Sequence, residues 1–391
     1  MTRPAPSPDT KPTAAPPRQL RRAIVLLLLA AAVQLALVSL PDTMGDVLVY
    51  RLWTRGLAGG GLAAAYWPAE QTLRKDPVLA AVDYPPLFPY LLWGIGHALG
   101  AISPALLEHH DGLLDALIRL PGIVASLLLA WLVYVETRRL HPAWAEAALA
   151  MVALNPALVF DTAYWGQTDA LCAALMAAAL VGLVRGRPGW AWVAAAAAAL
   201  AKPFAYPMLP VLAVASQRWF GPWRTLRSAA LGASVFAAGL LPFLWIGRLS
   251  DLVRTLFWQL DAMPFVSVNA HNLWWLIGRG TPWTPASARP LGISWGALAA
   301  LAFLGFLALV LLRLARSEDR RSLYVAAATG AFGFFVLSTH MHENHLFYAV
   351  AWLGLAGLRS APVRTLFLAL TATLLANMAL HDPFLTHTLR A

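Results

Sequence analysis

Residues 84–100, YPPLFPYLLWGIGHALG, decide how the whole chain is threaded. The run is apolar enough to be counted as a membrane span. Counting it would place Thr137 to His141, with Arg138 and Arg139, on the outer side of the membrane. Every later loop would then be reversed against the tendency of Lys and Arg to stay in the cytosol. The stretch is better read as a juxtamembrane or re-entrant helix on the outer face, started by the Pro85-Pro86 pair that suits a helix's first turn.

Working outward from there, a hydrocarbon core of about 30 Å asks for roughly 20 apolar residues per helix. Eleven spans are expected, near 23–40, 116–135, 143–160, 168–184, 189–202, 204–216, 227–246, 291–314, 322–338, 344–358 and 362–380. The inner loops then carry Arg138 and Arg139, Arg185 and Arg187, Arg218, Arg224 and Arg227, Arg313, Arg316, Arg320 and Arg321, and Arg359 and Arg364. With the basic residues of the first 22 positions they hold most of the 29 Lys and Arg. Residues 1–22 read as a cytosolic basic tail and 23–380 as a single transmembrane catalytic domain. Its long outer loops are 41–115 and 247–290, and 381–391 form an outer tail. No small-residue cleavage site follows the first apolar run, so it is read as a retained span rather than a signal peptide.

Composition agrees. Of 391 residues, 59% are hydrophobic and 12% charged, where a soluble domain carries about a quarter charged residues. A water-soluble globule is excluded. Pro (28), Gly (27) and Trp (17) are spread along the length, as in membrane helices with interfacial aromatic belts. Cys172 is the single cysteine, which excludes an internal disulfide and a cysteine zinc site. The net charge of +10 is explained by the inner loops, and no nucleic-acid partner is expected.

In this threading the polar residues that do not serve solubility all fall on the outer side: Asp46, Asp83, Gln167, Asp169, Lys202, Asn269, His271, Asn272, His340, His342, Glu343 and His345. The first outer loop holds Asp42, Asp46, Glu70, Asp76, Asp83, Glu108, Asp111 and Asp115 against Arg51, Arg55, Arg74 and Lys75. If a helix follows Gly45-Asp46, Arg51 and Arg55 share one face and Tyr50, Trp53 and Leu57 another, which suits a helix lying in the membrane interface. Asp46 is then a helix cap, or a carboxylate where a lipid-borne phosphate would arrive. Asp83, in Asp83-Tyr84-Pro85-Pro86-Leu87, is a turn residue or part of a site.

After Asn155-Pro156, the segment Asp161 to Asp169 reaches the outer junction of the third and fourth spans. Tyr164 and Trp165 read there as an aromatic belt, while Gln167 and Asp169 at the membrane boundary need a cap, a wet cavity or a partner. Lys202, before Pro203, either snorkels or contacts an anionic headgroup. Ser338 to His345 holds His340, His342, Glu343 and His345, with His342 and His345 able to share a helical face. This is not the zinc-protease spacing, and no metal ligand is assigned. Three histidines and a glutamate within six positions also suggest a divalent metal, but this is the lesser alternative, because histidine and glutamate equally bind phosphate and sugar hydroxyls.

Taken together, Gly45-Asp46, Asp83-Tyr84-Pro85-Pro86-Leu87 and the His-x-His-Glu box at His340 to Glu343 resemble the endoplasmic-reticulum glucosyltransferases of asparagine-linked glycosylation. Those are polytopic enzymes of the GT-C class that use a polyprenyl-phosphate sugar. Asn155-Pro156 and Trp165-Gly166-Gln167-x-Asp169 are similar to bacterial mannosyltransferase-like relatives of that class. The box continues with Asn344-His345, where the eukaryotic enzymes tend to have lysine. The resemblance implies an all-α, GT-C-like bundle of about eleven transmembrane helices in a cell inner membrane, with its site on the periplasmic face. It implies transfer of a hexose, mannose or glucose, with inversion, to a glycan, lipid or protein acceptor. Asp46 would be the general base, and Lys202 and the box histidines would receive the charge of the leaving phosphate. Asp83, Tyr84, Gln167, Asp169, His340, His342 and Glu343 would bind substrate. No cofactor is required beyond the lipid-linked donor. The alternatives are a transporter or flippase of a lipid-linked sugar, which should carry its ionisable groups near the midplane, and a ligase using a diphosphate-linked donor with a metal.

Overall fold

The computed structural model describes residues 17–40, 45–66, 82–262, 264–280, 283–290 and 292–390. Asp42, Glu70, Arg74, Lys75 and Asp76 of the first outer loop, and 1–16 of the basic tail, lie outside them. Among the described residues the architecture is all-α apart from two two-residue strands, Ser267–Val268 and Met341–His342, which pair in parallel.

Among the described residues, five helices are long and apolar enough to cross a membrane: Arg18–Val38, Asp111–Leu140, Pro203–Trp245, Trp295–Arg316 and Ala361–His381. Pro142–Ala153 and Pro156–Trp165, bent by 41° at the break before Pro156, make a sixth if taken as one span. Eleven spans are not reached on length. The expected spans at 168–184, 189–202 and 322–338 form helices of 16, 14 and 16 residues, and Phe347–Ala356 is shorter still. These helices are apolar on every side because they are interior: Asp169–Val184 and Pro188–Ala201 are buried along most of their length. Small residues let them close up, and a Cβ on Gly182 would lie 3.5 Å from the Ala191 backbone.

The expected spans 204–216 and 227–246 fall in one helical stretch, Leu209–Trp245, broken at Gly221 (φ 78°, ψ 168°). Ser216 Oγ lies 3.1 Å from Thr225 Oγ1, whereas nine residues of straight helix span about 13.5 Å. The chain therefore doubles back at Gly221. The second arm presses on Pro188–Ala201 at Gly232, where a Cβ would come within 2.6 Å of the Trp192 carbonyl oxygen.

The loops that carry the arginines meet at one end. Arg185 donates to Glu136 (2.6 Å), which also accepts from Tyr324 (3.0 Å). Arg218 donates to the Ala315 carbonyl, Arg320 stacks on Phe220 and Arg359 lies 3.2 Å from His141. The opposite end holds the described parts of the first and second long loops.

At that end the deciding run forms helix Leu87–Ile102, with Pro86 at its N-cap. At 16 residues it is not among the five long helices, and it packs on Asp46–Gly60. The face of Tyr50, Trp53 and Leu57, expected in the membrane interface, is instead buried in a cluster with Phe88 and Leu92. Gly96 allows the close crossing, since a Cβ there would meet the Thr54 carbonyl oxygen at 2.9 Å. The opposite face is also engaged: Arg51 holds Asp115 through two bonds (2.8 and 2.7 Å), and both Arg51 and Arg55 bind Asp111. An apolar stripe records that a partner exists, and here the partner is protein rather than lipid.

Candidate active site

A cavity of about 730 Å³ opens at this end. Its polar wall brings together Asp46, Asp83, Tyr84, Gln167, Lys202, His340 and His342, seven of the nine residues nominated from the sequence. Tyr50, Trp53, Trp165, Asn344 and His345 join them. The facing wall is apolar: Gly296, Ala299, Ala300, Phe303 and Leu304 from Trp295–Arg316, with Phe334 and Phe204. Asp169 lies behind Lys202, and Glu343 is buried away from the lining.

Asp46 is the first residue of its helix rather than the cap, because Gly45 takes that position in the left-handed region (φ 86°). The carboxylate is left for the cavity, and Trp165 Nε1 donates to its Oδ2 at 2.5 Å. Tyr164 and Trp165, expected as an interfacial belt, are buried. Beside Asp46, the Tyr50 and Tyr84 hydroxyls are 2.8 Å apart, and Tyr84 donates to Gln167 Oε1 at 3.3 Å.

Lys202 stands where Pro188–Ala201 ends. Pro203 disfavours helical geometry in the residue before it, and Lys202 is extended (φ −157°, ψ 145°). It does not snorkel. Its Nζ donates to Asp169 Oδ2 (2.7 Å) and lies 5.5 Å from the Tyr84 ring centre. The Asp169 carboxylate offsets part of the cost of burying that ammonium. Asn344 Nδ2 ties the floor together, donating to Asp169 Oδ2 (3.0 Å) and Asp161 Oδ1 (3.2 Å).

The histidine box is a loop and strand, not a helix, so His342 and His345 do not share a helical face. Instead the His342 backbone N–H donates to His345 Nδ1 (3.0 Å). The register Ser267↔Met341 and Val268↔His342 docks the box on the second long loop. His340, at φ 63°, donates its backbone N–H to the Phe265 carbonyl. Asn272, nominated only as an outer polar residue, caps Leu273–Ile277 and donates to the Phe335 and Ser338 carbonyls, a structural task. His271 lies 3.0 Å from His381 at the far side of that loop. Burial lowers His342 to about 4 and His345 well below its ordinary value. Both are neutral at neutral pH and act as hydrogen-bonding groups, not as the cations expected from the sequence. Among the described residues no group of three or more His, Cys, Asp or Glu is placed to hold a metal ion.

Burial also pushes the Glu343 carboxyl from 4.5 up to about 7. Between those values the folded protein keeps a proton that the unfolded chain releases, so the contribution of the neutral acid is full below 4.5 and is lost as pH rises toward 7. Glu343→Gln should remove that slope, worth ~3 kcal/mol across the window. Thermal unfolding in detergent at pH 4.5 and 8 checks this: the variant should gain on the wild type only at the higher pH, and parallel profiles would refute it.

The structure therefore presents a largely helical protein of membrane character, with a polar cavity at the end opposite the arginine-bearing loops that contain Arg185, Arg218, Arg320 and Arg359. Residues 84–339, well over half of the chain, match glycosyltransferase family 87, and the chain belongs to that family. It is an enzyme, a glycosyltransferase of the GT-C type, and needs a sugar donor and an acceptor. The transporter reading is set aside. The matched stretch runs from Tyr84 to Thr339, so it takes in Gln167, Asp169 and Lys202 but stops short of Asp46 and of His340, His342 and Glu343. No curated protein matches the chain.

Proposed function

We propose that this enzyme moves a hexose, mannose or glucose, from a polyprenyl-phosphate donor to an acceptor hydroxyl on the outer face of a cell inner membrane, with inversion at the anomeric carbon. The reading extends the likeness to the lipid-dependent glucosyltransferases and their bacterial mannosyltransferase-like relatives. It is carried by one observation: Asp46 and Lys202 line the same cavity, whose other wall is the apolar start of Trp295–Arg316. A charged headgroup suits the first wall and a hydrocarbon chain the second. Leu301 and Leu304 of the same helix are mostly exposed, as a flank in contact with lipid would be.

In the reaction Asp46 accepts the acceptor's hydroxyl proton as the oxygen bonds to the anomeric carbon. The bond from that carbon to the phosphate oxygen breaks, and the lipid phosphate departs with the electron pair. A phosphate carries that charge without being protonated, so the site needs cationic and hydrogen-bonding groups rather than an acid. Lys202 supplies the charge, His340 and His342 supply hydrogen bonds, and Asp83, Tyr84 and Gln167 orient the sugar.

The test offers short-chain polyprenyl-phosphate, polyprenyl-diphosphate and nucleotide sugars to the protein in sealed vesicles of known orientation. Transfer should occur from the lipid monophosphate donors alone, on the face bearing the cavity. Transfer only from a nucleotide or diphosphate donor would overturn the proposal.

A further inference from the structure

The indole of Trp165 is held more firmly than an interfacial tryptophan requires. The segment Phe160–Trp165 forms a wide helical turn that ends at Gly166, φ 82°. A Cβ on Gly166 would fall 2.5 Å from Val47 Cγ2 and 3.1 Å from Arg119 Nε, so only glycine fits between them. Arg119, 2% exposed, donates to the carbonyls of Tyr164 (3.2 Å) and Val38 (3.3 Å). The Gln167 N–H closes the turn on the Asp161 carbonyl (3.0 Å). Three parts of the chain therefore pin this turn: the end of the first span, helix Asp111–Leu140, and Val47, the neighbour of Asp46. What the turn presents to the cavity is one N–H donor, and that donor is on Asp46 Oδ2.

We infer that Trp165 is a positioning residue for Asp46: its indole N–H holds one carboxylate oxygen, fixes the orientation of the carboxylate and favours the ionised form. The inference rests on the reading of Asp46 as the base. Asp46 is faced by Tyr50 on its own helix, by Asp83 and Tyr84 ahead of Leu87–Ile102, and by Asp161 of the wide turn. Among the described residues, Lys202 at the end of Pro188–Ala201, His340, His342 and Glu343 of the box, and Arg119 packed against Gly166 beside Val47 are the further charged or titratable groups around it. The acids among them disfavour a second negative charge, and a donated hydrogen bond counters that. Tryptophan suits the task because its nitrogen is a donor only and cannot remove the proton itself.

Trp165→Phe keeps the ring and deletes the N–H. Its pH profile of kcat/KM should show the acidic limb displaced upward by about half to one pH unit, with kcat reduced about tenfold and the donor KM within about twofold. A loss of kcat with an unmoved limb would mark a packing role and overturn the inference, as would an unchanged profile. A second measurement does not depend on activity. In protein labelled with 5-fluorotryptophan, the fluorine resonance that disappears in Trp165→Phe should titrate with pH in the wild type and stay flat in Asp46→Asn. A resonance insensitive to pH, or one that titrates equally in Asp46→Asn, would overturn the inference even if none of the offered donors is used. A titrating resonance in a protein inactive on every donor would sustain the contact and sink the donor assignment instead.

Discussion

Asp46→Asn should reduce sugar transfer by about 10²–10⁴-fold, the range a positioned general base supplies, and leave the protein folded. The amide oxygen can still accept the Trp165 indole N–H, and Gly45, not Asp46, supplies the turn into the helix. What is lost is the capacity to take a proton, together with a first-turn charge that favours the helix by a few tenths of a kcal/mol at such a position. Initial rates at saturating donor, with thermal unfolding of the same preparations, separate the two effects. Full activity in a folded variant would remove Asp46 from the reaction.

The second large effect is on stability as well as rate. Asp169 is fully buried and its partner is the Lys202 ammonium. Deleting one member of a buried pair strands the other, at a cost of about 3–5 kcal/mol. Lys202→Met should therefore lower the unfolding temperature sharply and abolish transfer. Asp169→Asn combined with Lys202→Met removes both charges and should recover most of the stability, while transfer stays lost because no cation meets the leaving phosphate. A double variant that regained both would show that Lys202 serves only to neutralise Asp169.

These residues were legible in the sequence because charge in an apolar chain is conspicuous. Asp46, Asp83, Gln167, Lys202 and the box histidines sit next to spans, and the one-sided distribution of arginine put them at the same end before any coordinates. Their surroundings were not legible. Tyr50, Trp53 and Leu57 make the same periodic stripe whether they face lipid or helix Leu87–Ile102, and Trp165 resembles a belt tryptophan until its nitrogen is seen on Asp46. The neutrality of His342 and His345 comes from burial, which residue spacing does not encode. Asn344 looked like a departure from the box, yet it joins Asp161 to Asp169. The count of eleven spans is not confirmed, because helices such as Asp169–Val184 and Pro188–Ala201 are apolar and interior but shorter than a full span.

Those two inner helices, of 16 and 14 residues, measure about 24 and 21 Å. Measured from the arginine-rich end, they stop some 6–9 Å before a hydrocarbon slab of about 30 Å is crossed. Asp169 and Lys202 sit on their far tips, so in the proposed topology the transfer would take place in a well sunk below the lip of the leaflet. A lipid-borne phosphate would have to dip only slightly below its headgroup layer while its tail stays in hydrocarbon, whereas a water-borne partner would have to descend the whole way to meet it.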